Sequence, residues 1–191
     1  MNKGRMEAFS DGVMAIIITI MMLELRAPHG TSLADFRPLL PAFISYVVSF
    51  VFIGIYWTNH HHLFQAVQKV NGPILWANLH LLFWLSLVPF LTAWIGQNSF
   101  GTWPVALYGV DFLLAAMAYT ILVRTLLAHH GKNSTLAAAI GDDRKGNISL
   151  ALYALAIPTA FFYPMVSYGF YVLVAIIWIV PDRRIERVLL K

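Results

Sequence analysis

Six apolar stretches, each bounded by polar or charged clusters, follow one another near residues 6–25, 38–62, 73–95, 103–128, 148–165 and 167–181. A bilayer core of about 30 Å is crossed by roughly 20 apolar helical residues, so the pattern predicts six membrane-spanning helices in an all-α chain. The last two stretches are short, and their division is expected over 164–168. Pro158 and Pro164 fall in or beside the fifth, where proline frees backbone groups that neighbouring helices must satisfy. The segment 129–147, rich in Gly, Asn, Asp and Lys, reads as a linker that is partly helical over 135–140. With no internal repeat visible, one six-span domain over residues 1–191 is the simplest division.

Composition turns this pattern into a class. Of 191 residues, 59% are hydrophobic and only 12% charged, too apolar for a soluble domain whose surface must be wetted. The mean hydropathy of +0.70 agrees. The absence of cysteine excludes disulfides and thiolate metal sites. Met1 to Ser10, with Glu7, does not read as the start of a cleaved secretory signal, and the run ends in Glu24-Leu25-Arg26 without a small-residue cleavage pattern, so it is expected to be a retained first span.

The net charge of +4 raises nucleic acid as a partner, yet the basic residues sit at the ends of apolar stretches and form no patch interleaved with aromatics. They report topology instead. Eleven of the 13 Lys and Arg fall on one side of the six-span arrangement, with Arg26 and Arg37 on the other. The positive-inside rule then places both termini in the cytoplasm, as an even number of spans requires. Trp57, Trp76, Trp94, Trp103 and Trp178 fall toward span ends, where interfacial aromatics belong. A multi-pass protein of the inner cell membrane is the expectation.

Arg5, Phe9, Ser10 and Asp11 stand directly before the run Gly12 to Leu23. Ionisable groups beside a spanning segment are costly unless paired or functional, which points to a channel or transporter. Ser10 or Asp11 could equally be a helix N-cap. Comparing depths between spans puts Arg5, Asp11, Trp57, His60, Asn78 and His80 in one layer, and Arg5, His60 and Asn78 are the partners this layer supplies for a buried Asp11. His60, His61 and His62 suggest a metal, but consecutive helical residues point about 100° apart and cannot converge on one ion. Arg124 and His129 are read as snorkelling to the headgroups. Asp111, two turns into the fourth span, is open between pairing and lining a vestibule.

Ile16, Ile20 and Leu23 stand at i, i+4 and i+7 and share a helical face with Thr19 beside them. Such a stripe reads either as core or lipid packing, or as apolar rings if several copies of the helix face one another. Glu24 at its outer end is open between a cation-attracting mouth and a surface carboxylate. No GxSxG, HExxH, phosphate-cradling loop or paired membrane carboxylates occur, so neither an enzyme nor a cofactor is expected.

The segment Arg5-x3-Phe9-Ser10-Asp11-Gly12-Val13-Met14-Ala15-Ile16 resembles the Arg-x3-Phe-Ser-Asp signature of the endosomal and lysosomal potassium channel family, transmembrane protein 175, in its single-repeat prokaryotic branch. Tyr46-x2-Ser49-Phe50 with Tyr56-Trp57-x2-His60-His61-x-Leu63-Phe64 resembles the family's second span. Asn78 with Pro89-Phe90 resembles its third, and Ala156-Ile157-Pro158 with Pro181-Asp182-Arg183-Arg184 its last two.

The resemblance implies a homotetramer in which four first helices surround a potassium-permeable pore, without the carbonyl-lined loop of ordinary potassium channels; no TVGYG-like loop occurs here. It places Ile16 at the narrowest ring with Ile20 and Leu23 above, Thr19 as a selectivity-adjacent hydroxyl, and potassium as permeant with no other metal or cofactor. Arg5, Phe9, Ser10, Asp11, Trp57, His60 and Asn78 become the set that anchors the pore helix. Ala15 replaces the serine of the two-repeat animal relatives, so modest selectivity is expected. A proton-coupled transporter using Asp11, His60, His80 and Asp111 is the rival reading, and a scaffold without transport the third.

Overall fold

The computed structural model describes residues 3–131 and 144–179, and the regular elements among them are all helical. Six long helices run in chain order: α1 (Lys3–Leu23), α3 (Leu40–Gln65), α4 (Gly72–Gln97), α5 (Thr102–His130), α6 (Arg144–Thr159) and α7 (Pro164–Ile179), with a single-turn helix α2 (Leu33–Phe36) between the first two. Four segments among the described residues are long and apolar enough to cross a membrane: α1, the continuous stretch Leu33–Gln65, α4 and α5. At 1.5 Å per residue the 16-residue α6 and α7 reach about 24 Å, less than a full bilayer core.

The helices match the apolar stretches within a few residues, with two corrections. The break between the last two lies at Ala160–Tyr163, before the expected 164–168. Pro164 occupies the first position of α7, where its missing N–H costs nothing and its fixed φ starts a helix. The linker is shorter than 129–147, since α5 runs to His130 and α6 opens at Arg144. The expected helicity over 135–140 lies outside the described residues, as does the basic C-terminal tail.

Between α1 and α3, the Ser32 backbone N–H and hydroxyl both donate to Asp35 Oδ2 at 2.9 Å and start α2 as a capping box. A 3-10 turn over Arg37–Leu39 leads from α2 into α3.

The core is built around α4 and α5, which lie side by side; α3 packs on α4, α6 on α5, and α7 closes against α6, α3 and α5. Two glycines permit the tightest approaches. A Cβ at Gly109 on α5 would collide with the Tyr171 hydroxyl of α7, which donates to the Val105 carbonyl at 3.1 Å. A Cβ at Gly96 on α4 would stand 2.6 Å from the Ala42 Cα, so the outer ends of α3 and α4 meet backbone to backbone. Ser45, one turn along α3, lies 3.2 Å from the Thr92 carbonyl of α4 at the same level. The first helix is peripheral to this core and leans on α3 and α4 alone among the substantial contacts.

Candidate functional site

One side of α1 is fastened and the other is bare. Met6, Ser10, Met14, Ile17 and Met21, spaced three or four apart, are buried against α3 and α4. The opposite stripe holds Phe9, Ile16, Thr19, Ile20 and Leu23, with Ile16 58% and Leu23 82% exposed against 1% for Met14 and Met21. Because α1 is apolar around most of its circumference, both faces need a non-aqueous or self-complementary partner.

The inner third of the buried side is held by directional hydrogen bonds. Ser10 donates its hydroxyl hydrogen to the Met6 carbonyl one turn back at 2.9 Å, leaving its oxygen free to accept. Asn78 Nδ2 on α4 donates to that oxygen at 2.9 Å, which turns Asn78 Oδ1 toward His60 Nε2 on α3 at 2.8 Å. With Oδ1 as acceptor, the ring carries its proton on Nε2. Ser10, His60 and Asn78 are all buried, and each polar atom in this line has a partner, the condition under which a polar network in a core is stabilising.

Asp11 takes a different partner from those expected. Trp57 Nε1 on α3 donates to Asp11 Oδ1 at 3.0 Å, while His60 and Asn78 serve Ser10. The N-cap reading fails because α1 begins at Lys3, two turns before Ser10. Arg5 and Phe9 are exposed in the single chain, and no ion pair of Arg5 occurs among the described residues, where Lys3 and Glu7 pair at 3.9 Å. Of the seven residues expected to anchor the helix, the structure brings Ser10, Asp11, Trp57, His60 and Asn78 together and leaves Arg5 and Phe9 on the bare side. His80 faces outward and accepts from Trp84 Nε1 at 3.0 Å, apart from this layer.

Higher on α1 the polar contacts thin out. Met21 Sδ lies 3.8 Å from Thr92 Oγ1 of α4, which sits 2.6 Å from Ser49 Oγ of α3, itself 2.8 Å from the Tyr108 hydroxyl of α5. Sequence reasoning missed this buried hydroxyl line, whose members carry no charge and share no local spacing.

On the bare side, Thr19 donates its hydroxyl to the Ile16 carbonyl at 2.8 Å, which leaves the exposed hydroxyl oxygen free to accept. Glu24 follows the last turn of α1 and is exposed. No group of three or more His, Cys, Asp or Glu able to hold a metal occurs among the described residues, and the three consecutive histidines diverge: His60 meets Asn78 and His61 meets Gln65. Asp111 is buried, and neither carboxyl oxygen has a hydrogen-bond partner.

This is a helical multi-pass membrane protein whose first helix is bolted down on one side and offers a continuous apolar and hydroxyl-bearing stripe on the other. Residues 5–89 match the model of the family described as endosomal/lysosomal potassium channel TMEM175. A potassium channel of Chryseobacterium sp. (strain P1-3) is 58% identical over 98% of this chain and 97% of its own length, and one of Streptomyces collinus is 35% identical over 63% of each. The crystal structure of a lysosomal potassium-selective channel TMEM175 homolog from Chamaesiphon minutus superposes with a TM-score of 0.80 at 28% identity, covering 94% of this chain and 97% of that one. The human endosomal/lysosomal proton channel TMEM175 is 35% identical over 37% of this chain, which spans only 16% of that protein. The chain belongs to the TMEM175 potassium channel family.

Proposed function

We propose that four copies of this chain assemble around their first helices into a potassium-permeable cation channel of modest selectivity in the inner cell membrane, both termini cytoplasmic, all six long helices forming one domain. The observation that carries the reading is the division of α1 into a face held by α3 and α4 and an opposite face left bare. Relatives named potassium channels along almost the whole chain support it.

Ile16 forms the narrowest ring, with Ile20 and Leu23 widening above it. An apolar ring of this kind closes by dewetting, and slight rotation or separation of the helices rewets it, so the gate works through pore radius rather than through a carbonyl-lined filter. Thr19, one turn outward, supplies the nearest side-chain oxygens, and fourfold Glu24 makes the mouth negative. Ser10, Asp11, Trp57, His60 and Asn78 set the rotation of the helix and hence which side chains meet at the centre.

The test is recording in planar bilayers under bi-ionic conditions with no proton gradient. Ohmic cation currents that rise severalfold in Ile16→Ser support the channel. The carrier alternative is motivated by Asp111, a buried carboxyl without a partner. Flux that vanishes without a proton gradient, and follows Asp111→Asn rather than Ile16→Ser, would replace the channel by that reading.

A further inference from the structure

At the inner end of α5, two adjacent histidines close over the loop that joins α3 to α4. Asn71 Oδ1 caps α4 by accepting from the Ile74 amide at 3.1 Å, so its amide nitrogen is the group directed at His129 Nδ1, 3.1 Å away. An Asn Nδ2 only donates, and His129 Nδ1 must therefore be a bare lone pair with the ring proton on Nε2. The neighbouring ring is arranged the other way. His130 Nδ1 faces the Leu126 carbonyl at 3.0 Å and must donate, while Nε2 faces the backbone amides of Gln68 and Lys69 at 3.4 and 3.5 Å and must accept. Both rings are neutral in this arrangement, in opposite tautomers, and each uses its one lone pair on the loop.

We infer that His129 and His130 form a proton-sensitive clasp on the α3–α4 loop, closed when both rings are neutral and released when either takes a proton. Protonation converts the accepting nitrogen into a donor aimed at another donor, so the contact is lost rather than weakened. The α5 helix itself survives the change, because a cationic imidazole is favourable at a helix C-terminus. What opens is the 66–71 loop.

The ionisable groups presented by the surrounding elements are Lys69 from the loop, His61 and His62 near the end of α3, Arg124 on α5, and Arg144 and Lys145 at the start of α6; the first two turns of α4 carry none. The two rings also lie edge to face with centroids 5.1 Å apart. No carboxylate among the described residues bonds to either protonated ring.

The consequence for the pore rests on the channel reading above. Trp57 and His60 lie on α3 and Asn78 on α4, so this loop joins the two helices that grip α1. Acidification on the loop side loosens that grip from below.

Two measurements on the full chain in nanodiscs test the clasp without any current. Nitrogen-15 histidine spectra at pH 8 should show His129 protonated on Nε2 and His130 on Nδ1; a shared tautomer overturns the assignment. Hydrogen exchange over 66–71, corrected for its intrinsic pH dependence, should quicken on the order of tenfold between pH 8 and pH 5.5, the loss of about one net hydrogen bond. The double variant His129→Gln with His130→Gln, whose amide oxygens accept at every pH, should flatten that response, and His130→Lys should keep the loop open throughout. Equal exchange in wild type and both variants would sink the proposal. Open probability that falls or rises with pH on the loop side in wild type but not in the double glutamine variant extends the clasp to the pore, and a pH response identical in the two refutes that extension. An electrically silent protein would count against the channel reading while leaving the exchange and tautomer results decisive for the clasp.

Discussion

The two halves of α1 are held in unlike ways. The N-terminal half, called inner on the topology proposed above, is pinned by two directional hydrogen bonds to two helices, Ser10 to Asn78 and Asp11 to Trp57, with His60 bracing Asn78 from α3. The outer half, where Ile16, Thr19, Ile20 and Leu23 lie, rests on the apolar backs of Met14, Ile17 and Met21 with one long sulfur contact to Thr92. Hydrogen bonds fix rotation and register, whereas apolar packing tolerates small sliding and turning. The difference makes the inner end a pivot and the outer end the part free to move, which is the combination a pore gated by small helix rotations requires.

The largest effect should come from Asn78→Leu. It leaves the buried His60 N–H without an acceptor, a cost of about 1–3 kcal/mol, and removes the only polar tie between α4 and Ser10. A lowered melting temperature and loss of tetramer in gel filtration are expected; wild-type behaviour would show that the inner half is not pinned as described. Asp11→Ala, which removes the acceptor of Trp57, should reduce tetramer yield or conductance to a lesser degree, because Asp11 is exposed in the chain and water can replace it. A normal channel from this variant would confine the pivot to the Ser10 line.

On the outer half the expected effects are smaller and fall on conduction rather than assembly. Thr92→Val keeps the shape but removes the hydroxyl shared by Ser49 and Met21, so tetramer yield should hold while open probability shifts about two- to threefold. A collapse of assembly would reverse the comparison between the two halves. Thr19→Ala should leave stability unchanged and move the potassium-to-sodium permeability ratio toward one. An unchanged ratio would take Thr19 out of ion discrimination.

Much of this was legible in the sequence, and for physical reasons. The need to satisfy every backbone group within each span makes helix positions readable from apolar length alone, and five of the six match within three residues at both ends. The α6–α7 break was placed late because Pro164 could close one helix or open the next, and only packing decides. The inner layer was found because depth can be counted along helices, yet the pairing inside it was not: Ser10 and Asp11 are adjacent, and the helix rotation that sends one to Asn78 and the other to Trp57 is set by tertiary contacts. From sequence alone, His129 reads as a headgroup-seeking side chain. Its bond to Asn71 spans 58 residues and leaves no trace in local spacing.

Gly96 carries one more implication. With the outer ends of α3 and α4 in backbone contact there, and the loop of 66–71 tying their inner ends, the pair behaves as a closed frame rather than as two independent rods. A bulkier residue at that corner would skew the frame and carry every attached group on α1 with it, so on the proposed channel reading a substitution far from the conduit would still be felt by each permeating ion.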